Sequence, residues 1–235
     1  MGSELICLPN FYMIEMNNTT MKYITLLITL LLFSCGKKED VLLPKSNVSI
    51  VKDVQDHSPI YIFFKVEGKD TIADLNRKSA IISTNWILNI DKRLPLKLVM
   101  PQVIKMQDKK RSEKMHQNEE SENYYSYADS IGKNLAFLPF TQVFYKMEIA
   151  NNRSQLYFKK NGIIQYTARK NYSFPKEDLP KFLDSLIINP KAQITFSFDK
   201  NMSYGDYIQY KIFLEKLELQ QKSLVFINKE EEYIF

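Results

Sequence analysis

The most restrictive pattern in this sequence is a hairpin signal near its carboxyl end. Residues 155–162 and 163–171 are two short runs rich in strand-favouring side chains, and the first run ends in Asn161-Gly162. An Asn-Gly pair adopts the left-handed backbone of a tight turn, so these runs predict two antiparallel strands. The chain has 235 residues, of which 45% are hydrophobic and 25% charged, which indicates a globular protein.

A helix is predicted directly after this hairpin. We expect Ser173 to cap it and Asn189-Pro190 to end it. Pro180 lies early in the pattern, so we expect either a first turn near Pro175 or a distortion at Pro180. The apolar side chains of its predicted buried face are Leu179, Phe182, Leu183, Leu186 and Ile187.

A strand, a second helix and a last strand follow. Residues 192–198 alternate polar and apolar side chains, which is typical of a strand. Ser203, with Asp206 three residues later, resembles a helix-capping box, and residues 223–228 form a short apolar run that predicts the last strand. The segment is therefore predicted to be α+β with the order β-β-α-β-α-β. The second helix has its apolar stripe at Tyr207, Tyr210, Leu214 and Leu217.

Residues 154–230 resemble the periplasmic domain of the ExbD/TolR family of energy-transducing proteins. In that family the third strand ends in an Ala-Asp-Lys-like turn, and a Tyr-Gly pair opens the second helix. Phe198 replaces the alanine of the family here. The matching residues are Asp199, Lys200, Tyr204 and Gly205.

Two interpretations of this turn are open. Asp199 can accept backbone hydrogen bonds while Gly205 lets the helix start close to the sheet, in which case the motif fastens strand to helix. Alternatively, Asp199, Lys200 and Tyr204 form a recognition surface. The resemblance also implies pairing through sheets, so residues 223–228, expected at a sheet edge, predict a weak homodimer.

The first globular segment, residues 59–150, is interpreted as either a degenerate copy of the second, residues 151–235, or an unrelated α+β cap. We expect a hairpin around Glu67-Gly68, a helix over 79–90 and a strand over 95–106. Residues 124–140 would then supply a second helix and a closing strand. Predicted strand starts at Tyr61 and Leu156 differ by 156 − 61 = 95 positions, and helix starts at Ser79 and Ser173 by 173 − 79 = 94, which favours duplication.

The amino end has the pattern of an export signal. Residues 21–34 give a Met-Lys start, an apolar run and a small residue before Cys35, as in the signal peptide of a bacterial lipoprotein. Cys35 is the expected lipid-attachment residue. Residues 1–20 precede a better start at Met21 and are interpreted as a start assigned too early, and residues 35–58 are expected to form a tether.

Catalysis, metal binding and nucleic-acid binding find little support. His57 and His116 lack neighbours that suggest a metal site, no cofactor motif is present, and the net charge of +5 is dispersed. The tyrosines at 124, 125 and 127 fit either a sugar-stacking surface or the core, and core is the more common role of such rings.

The resemblance implies a function in the bacterial cell envelope. ExbD/TolR proteins carry a transmembrane helix with a membrane-embedded Asp, whereas residues 23–33 contain no acidic residue. We therefore expect a membrane-anchored lipoprotein without proton conduction, facing the periplasm or the cell surface. It would be a noncatalytic binding or scaffolding module whose partner is an envelope protein or peptidoglycan. The alternative is an envelope enzyme with a site between the two segments.

Overall fold

Two mixed β-sheets and three α-helices make up the described part of the chain. The structure is a computed structural model, and it describes residues 22–23, 40–113, 118–151, 154–168, 170–185, 194–220 and 227–235. Residues Asp40–Phe235 belong to one compact unit. The mixed α and β composition agrees with the predicted class.

The first sheet is parallel at its centre and has an antiparallel strand on either side. Its strands are β1 (Lys45–Ser46), β2 (His57–Glu67), β3 (Asp70–Asn76), β4 (Asn85–Ile90), β5 (Asn123–Asp129) and β6 (Leu135–Pro139). Strands β2, β4 and β5 pair in parallel, and the short β1 also pairs with β5 in parallel. The antiparallel strands are β3, which forms a hairpin with β2, and β6, which pairs with β5.

The second sheet repeats this central order. Its strands are β7 (Phe144–Lys146), β8 (Gln155–Phe158), β9 (Ile163–Thr167), β10 (Asn171–Pro175), β11 (Ile194–Phe198) and β12 (Ile227–Ile234). They lie in the order β10-β9-β8-β11-β12-β7, with antiparallel pairing from β10 to β8 and parallel pairing from β8 to β7. The order β9-β8-β11-β12 therefore corresponds to β3-β2-β4-β5 of the first sheet.

Two of the helices are long and one is short. They are α1 (Leu96–Ser112), α2 (Leu179–Ser185) and α3 (Tyr204–Gln220), and a 3₁₀ turn at Lys176–Asp178 precedes α2. None of the described helices is long and apolar enough to cross a membrane. The fully or nearly fully buried side chains of α1 fall at helical spacing, namely Leu96, Val99, Met100, Val103 and Met106.

Two predicted elements of the first segment are wrong in type. Residues 79–90, expected to be a helix, form a turn followed by β4, and residues 95–106, expected to be a strand, begin α1. Strand β4 lies between β2 and β5 and is buried along nearly its whole length, so its apolar run lacks the alternation of a half-exposed strand. Pro95 immediately before α1 is a helix-start signal, because proline suits the beginning of a helix.

The helix expected within residues 124–140 is also wrong, whereas a strand, β6, is present after it as expected. These residues form β5 and β6, an antiparallel pair joined by a turn, and no helix. Tyr125 and Tyr127 are fully buried and Tyr124 is half-buried, so this aromatic cluster belongs mainly to the core, as the more common of its two expected roles.

The second segment is closer to its prediction. The hairpin around Asn161-Gly162 is confirmed by β8 and β9, and the strand before Asp199 by β11. Ser173 does not cap a helix, because it lies in β10; the helical backbone starts after Pro175, as one of the two expectations had it. Leu179 and Leu183 are buried as predicted, while Leu186, Ile187, Asn189 and Pro190 lie outside the described residues.

Strand β12 differs from the predicted last strand in its bounds. It covers Ile227–Ile234, and residues 223–226 of the predicted strand lie outside the described residues. It pairs with β11 on one side, and on the other side β7 pairs with its residues Glu231–Tyr233. The homodimer expected through residues 223–228 stays a prediction, because most of those residues lie outside the described ranges.

The chain before β2 runs along the first sheet. The residues expected as a tether include β1, and the side chains of Val48 and Ile50 pack against the core. Leu42 donates its backbone N–H to Asp91 and accepts one from Lys92. Leu42 is thus already bonded to the globule, whereas Cys35 and most of the export-signal residues lie outside the described residues.

The turn of the β8–β9 hairpin depends on a glycine backbone. Gly162 has φ +83°, and a Cβ there would meet nothing within 4 Å, so any loss on substitution arises from backbone strain alone. We expect Gly162→Val to lower the free energy of unfolding by about 1 to 2 kcal/mol and Gly162→Asn to lower it less, because Asn tolerates the left-handed region. Urea unfolding measures both. Equal losses for the two variants would contradict this explanation.

Candidate functional site

The Asp-Lys turn singled out in the sequence lies between β11 and α3. Asp199 accepts the backbone N–H of Asn201 at 2.8 Å and, more weakly, that of Lys160 at 3.4 Å. Ser203 accepts the backbone N–H of Asp206 at 3.1 Å, which confirms the predicted capping box. Side chains of the turn therefore hold its own backbone in place, and Lys200 is exposed.

The Tyr-Gly pair is buried rather than presented to solvent. Tyr204 is fully buried, and its ring contacts that of Tyr125 edge-on at 5.7 Å. Gly205 lies so close to the neighbouring segment that a Cβ would be 3.1 Å from Cβ of Lys92 and 3.2 Å from its carbonyl oxygen. These two residues therefore favour the fastening interpretation of the motif over the recognition surface.

A second Asp-Lys turn, which the sequence reasoning missed, occupies the matching place in the first half. Asp91-Lys92 follows β4 and precedes α1, as Asp199-Lys200 follows β11 and precedes α3. The segments "IDKRLPL" (90–96) and "FDKNMSY" (198–204) differ in position by 199 − 91 = 108. Asp91 accepts the N–H of Arg93 at 3.0 Å, just as Asp199 accepts that of Asn201.

The two turns bond to each other through reciprocal backbone hydrogen bonds. Tyr204 N–H donates to the carbonyl of Leu94 at 2.7 Å, and Leu96 N–H donates to that of Met202 at 3.0 Å. Gly205 N–H donates to the carbonyl of Lys92 at 3.0 Å, and the matching pair, Lys97 N–H to Lys200 carbonyl, measures 2.8 Å. Each bond has a counterpart 108 positions away, so the two turns are joined with approximate two-fold symmetry.

These bonds provide acceptors for the first N–H groups of the two helices. The first N–H groups of a helix have no partner within the helix and need acceptors elsewhere. In this fold the first turns of α1 and α3 donate to the carbonyls of the opposite junction. Each helix start is therefore completed by the other half of the chain.

Asp91 accepts more hydrogen bonds at this junction than Asp199 does. Its side chain is fully buried, and it accepts bonds from Arg93 Nε at 2.9 Å, Arg93 Nη2 at 2.8 Å and the N–H of Leu42 at 3.2 Å. Burial raises the pKa of Asp91, but the hydrogen bonds from Arg93 and Leu42 outweigh it and hold the pKa below its usual value. The start of the globule is thereby attached to the junction.

A buried cluster of tyrosines and one ion pair lies between the two sheets. Glu232 of β12 and Lys211 of α3 form a buried salt bridge, and the Tyr207 hydroxyl donates to Glu232 at 2.8 Å. The Tyr145 hydroxyl of β7 accepts a bond from the Tyr125 hydroxyl at 3.0 Å, and it can donate its own proton to the Tyr207 hydroxyl oxygen 3.3 Å away, because the proton of Tyr207 is used by Glu232. Burial is the main cause that raises the pKa of all three tyrosines well above its usual value.

An open groove lined by lysines lies beside β1. It has a volume of about 400 Å³, and its walls come from β1, the turn after β5, the 3₁₀ turn and α3. A second hollow of about 480 Å³ shares Lys45 and Ser130 with it and adds Lys133. The polar and charged residues of the first groove are Lys45, Ser46, Asn47, Ser130, Lys176, Gln209 and Lys216.

The histidines considered in the sequence show no common site. His57 has its Nδ1 2.8 Å from the carbonyl oxygen of Val54, and His116 lies outside the described residues. Within the described ranges, no three His, Cys, Asp or Glu residues are grouped so as to hold a metal ion. The lysines of the groove are far apart in sequence, so no local pattern could have revealed them.

Comparison with known proteins adds no relative. No family model, no curated protein and no solved structure matches this chain.

The two aspartates of the paired turns should differ in their contribution to stability. We expect Asp199→Ala to lower the free energy of unfolding by about 1 kcal/mol, as for a lost cap, and Asp91→Ala by about 2 to 3 kcal/mol, because its hydrogen bonds are charged and buried. Because folding lowers the pKa of Asp91, its contribution to the free energy of unfolding is fully present above its ordinary pKa of 3.8. That contribution is lost as the pH falls through the lower pKa of the folded state. Urea unfolding from pH 7 to pH 2 measures both effects, with Asp91→Asn as the control that lacks this acid-dependent loss. Equal losses for the two alanine variants would contradict the assignment.

The buried ion pair gives a separate prediction. Lys211→Met leaves Glu232 buried without its cation and should cost about 3 to 5 kcal/mol. The double variant Lys211→Met/Glu232→Gln removes both charges but keeps an acceptor for Tyr207, so it should regain most of that loss. Chemical unfolding of the two variants makes the comparison. A double variant as unstable as Lys211→Met would show that the charge pair is not the cause.

Proposed function

We propose that this protein is a lipid-anchored, noncatalytic binding or scaffolding module of the bacterial cell envelope. The observation that carries the proposal is the lysine groove, which is open to solvent and lies beside β1, near the start of the globule. An open basic surface next to a membrane anchor suits a protein that holds an envelope component in place.

The proposed anchor would keep the globule near the membrane. Cys35 is the expected acylated residue, and Leu42, which is hydrogen-bonded to Asp91 of the globule, follows 42 − 35 = 7 residues later. Seven residues of extended chain span at most about 25 Å. The groove would therefore lie close to the bilayer on the periplasmic side or at the cell surface.

The ExbD/TolR resemblance supports a scaffolding role. The second half contains a hairpin, α2, β11, α3 and β12 in the order that the resemblance implies, with the additional strand β10 between the hairpin and α2. The motif residues Asp199, Tyr204 and Gly205 make internal contacts. We propose that they fasten the fold, while an envelope protein or peptidoglycan is the partner held by the exposed surface.

We also propose that the two halves are tandem copies. Their central strand orders correspond, and their Asp-Lys turns lie 108 positions apart. The glycines of the two hairpins, Gly68 and Gly162, differ by 162 − 68 = 94 positions. The second half therefore has 108 − 94 = 14 more residues between its hairpin and its Asp-Lys turn than the first half has. The residues of β10 and α2 lie in this interval and have no counterpart in the first half. The earlier alignment of Ser79 with Ser173 is replaced, because neither begins a helix.

An enzyme with a site between the halves is the alternative. The tyrosine cluster around Glu232 favours it, because that cluster lies between the sheets and its tyrosine pKa values are raised. However, Glu232, Tyr125 and Tyr207 are fully buried, so a substrate has no access to them in this conformation. The open groove is therefore the better candidate for contact with another molecule.

Replacing the anchor residue tests the proposal. Cys35→Ala should abolish incorporation of labelled palmitate and release the chain from envelope membranes, because membrane attachment depends on acyl chains whose burial contributes about 0.8 kcal/mol per methylene. Cys7→Ala is the matched control, since Cys7 precedes the proposed signal peptide, and it should label as the parent chain does. Unchanged labelling and membrane attachment of Cys35→Ala would overturn the anchor.

A further inference from the structure

We infer that the lysine groove binds the phosphate groups of anionic phospholipid headgroups. This deepens the proposed function and rests on it, because it names the ligand that the exposed surface of the anchored module would hold. The groove residues central to the inference are Lys45, Lys176 and Lys216, with Lys133 in the adjoining hollow.

The groove offers several hydrogen-bond donors around one space. Lys45 and Lys216 are exposed, and the amide of Asn47 and the hydroxyl of Ser46 line the same groove. Ser46 accepts the N–H of Val48 with its hydroxyl oxygen, so its own proton can be donated to a ligand. A phosphate has several acceptor oxygens and can use donors from different elements at once.

Lys176 is already held in position at the wall of the groove. Its ammonium group lies 5.0 Å from the ring centre of Tyr210 and 4.9 Å from that of Phe213, within the range of a cation–π contact. Burial lowers its pKa, while the nearby acids Glu177 and Asp206 act in the opposite direction. The cation is therefore ordered before any ligand binds, which reduces the entropy lost on binding.

Lys133 supplies an independent sign of function. It has φ +53°, a left-handed conformation that favours glycine and costs a lysine about 1 to 2 kcal/mol. Strained residues of this kind cluster at functional sites. Its neighbour Asp129 is engaged by the Ser49 hydroxyl at 2.7 Å and by the N–H groups of Ile131 and Gly132 at 2.8 and 3.0 Å. That carboxylate is thus bound within its own turn.

The composition of the groove favours phosphate over carboxylate. Arginine pairs with planar carboxylates through two parallel bonds, whereas lysine acts as a compact point charge and is a common phosphate ligand. The cations that line the groove and the adjoining hollow are all lysines. The short distance to the proposed anchor then selects membrane phosphates as the source, because lysines near an anionic bilayer are attracted to it within a Debye length.

The first experiment measures protection of lysines at a bilayer. The full chain is reconstituted into vesicles of phosphatidylglycerol and phosphatidylcholine, or of phosphatidylcholine alone, and labelled with an amine-reactive reagent for mass spectrometry. We expect Lys45, Lys133 and Lys216 to label more slowly in the anionic vesicles, and the exposed Lys69 and Lys78 to label equally in both. Equal labelling of all five in both kinds of vesicle would overturn the inference.

The second experiment separates the groove from the anchor. The full chain in neutral detergent is titrated with glycerophosphoglycerol, a soluble anionic headgroup, and with inorganic phosphate. Glycerophosphoglycerol should bind more tightly, and the affinity should fall about fivefold for each lysine of the groove replaced by glutamine. The control variant Lys69→Gln/Lys78→Gln/Lys105→Gln removes three exposed charges elsewhere and should bind as the parent does.

Lys133→Gly distinguishes binding from folding. Glycine relieves the strained backbone, so this variant should melt at a higher temperature than the parent while its headgroup affinity falls about fivefold. An affinity equal to that of the parent would remove Lys133 from the site. Inorganic phosphate that binds as tightly as the headgroup would overturn the lipid assignment. Headgroup binding by a chain that incorporates no palmitate would refute the anchor and retain the groove.

Discussion

The reciprocal backbone bonds between the two Asp-Lys turns are the interaction on which the rest of this structure depends. They satisfy the first N–H groups of α1 and α3, and they fix the ends of β4 and β11 at the same point. Since each half donates to and accepts from the other, neither junction is complete alone. The position of Gly205 against Lys92 follows directly, because the bonds require the two backbones to approach closely.

The buried ion pair and its tyrosine fix how α3 packs on the second sheet. Apolar side chains alone would allow the helix to slide over the sheet, since hydrophobic burial has no direction. Glu232 of β12 is bonded to Lys211 and Tyr207 of α3, and a shift of the helix would leave a charge buried without its partner. The hydrogen bond from Tyr125 to Tyr145 extends this cluster to the first sheet.

Local signals explain which parts of the fold the sequence could predict. Asn161-Gly162 and the Ser203-Asp206 cap act within a few residues, and the structure confirms both. The strand β4 was mistaken for a helix because its burial on both faces comes from β2 and β5, which contact it only in the folded chain.

The candidate sites show the same division between local and long-range effects. The fastening geometry of Asp199 follows from its turn, but the partner turn at Asp91 acquires its meaning only through pairing across the fold. The repeated Asp-Lys between a strand and a helix was the available signal for it. The lysines at 45, 133, 176 and 216 come together only in space, so sequence alone could not assemble the groove.

The place of β7 in the second sheet has a consequence for synthesis of the protein. Its described pairing is with β12, which begins 227 − 146 = 81 residues after β7 ends. At about 5 to 20 residues per second, a ribosome needs about 4 to 16 s to make that stretch. Throughout this time β7 has no partner strand to pair with, and the chain segment between β7 and β12 that must close is long. The second sheet is therefore completed only after β12 has been made.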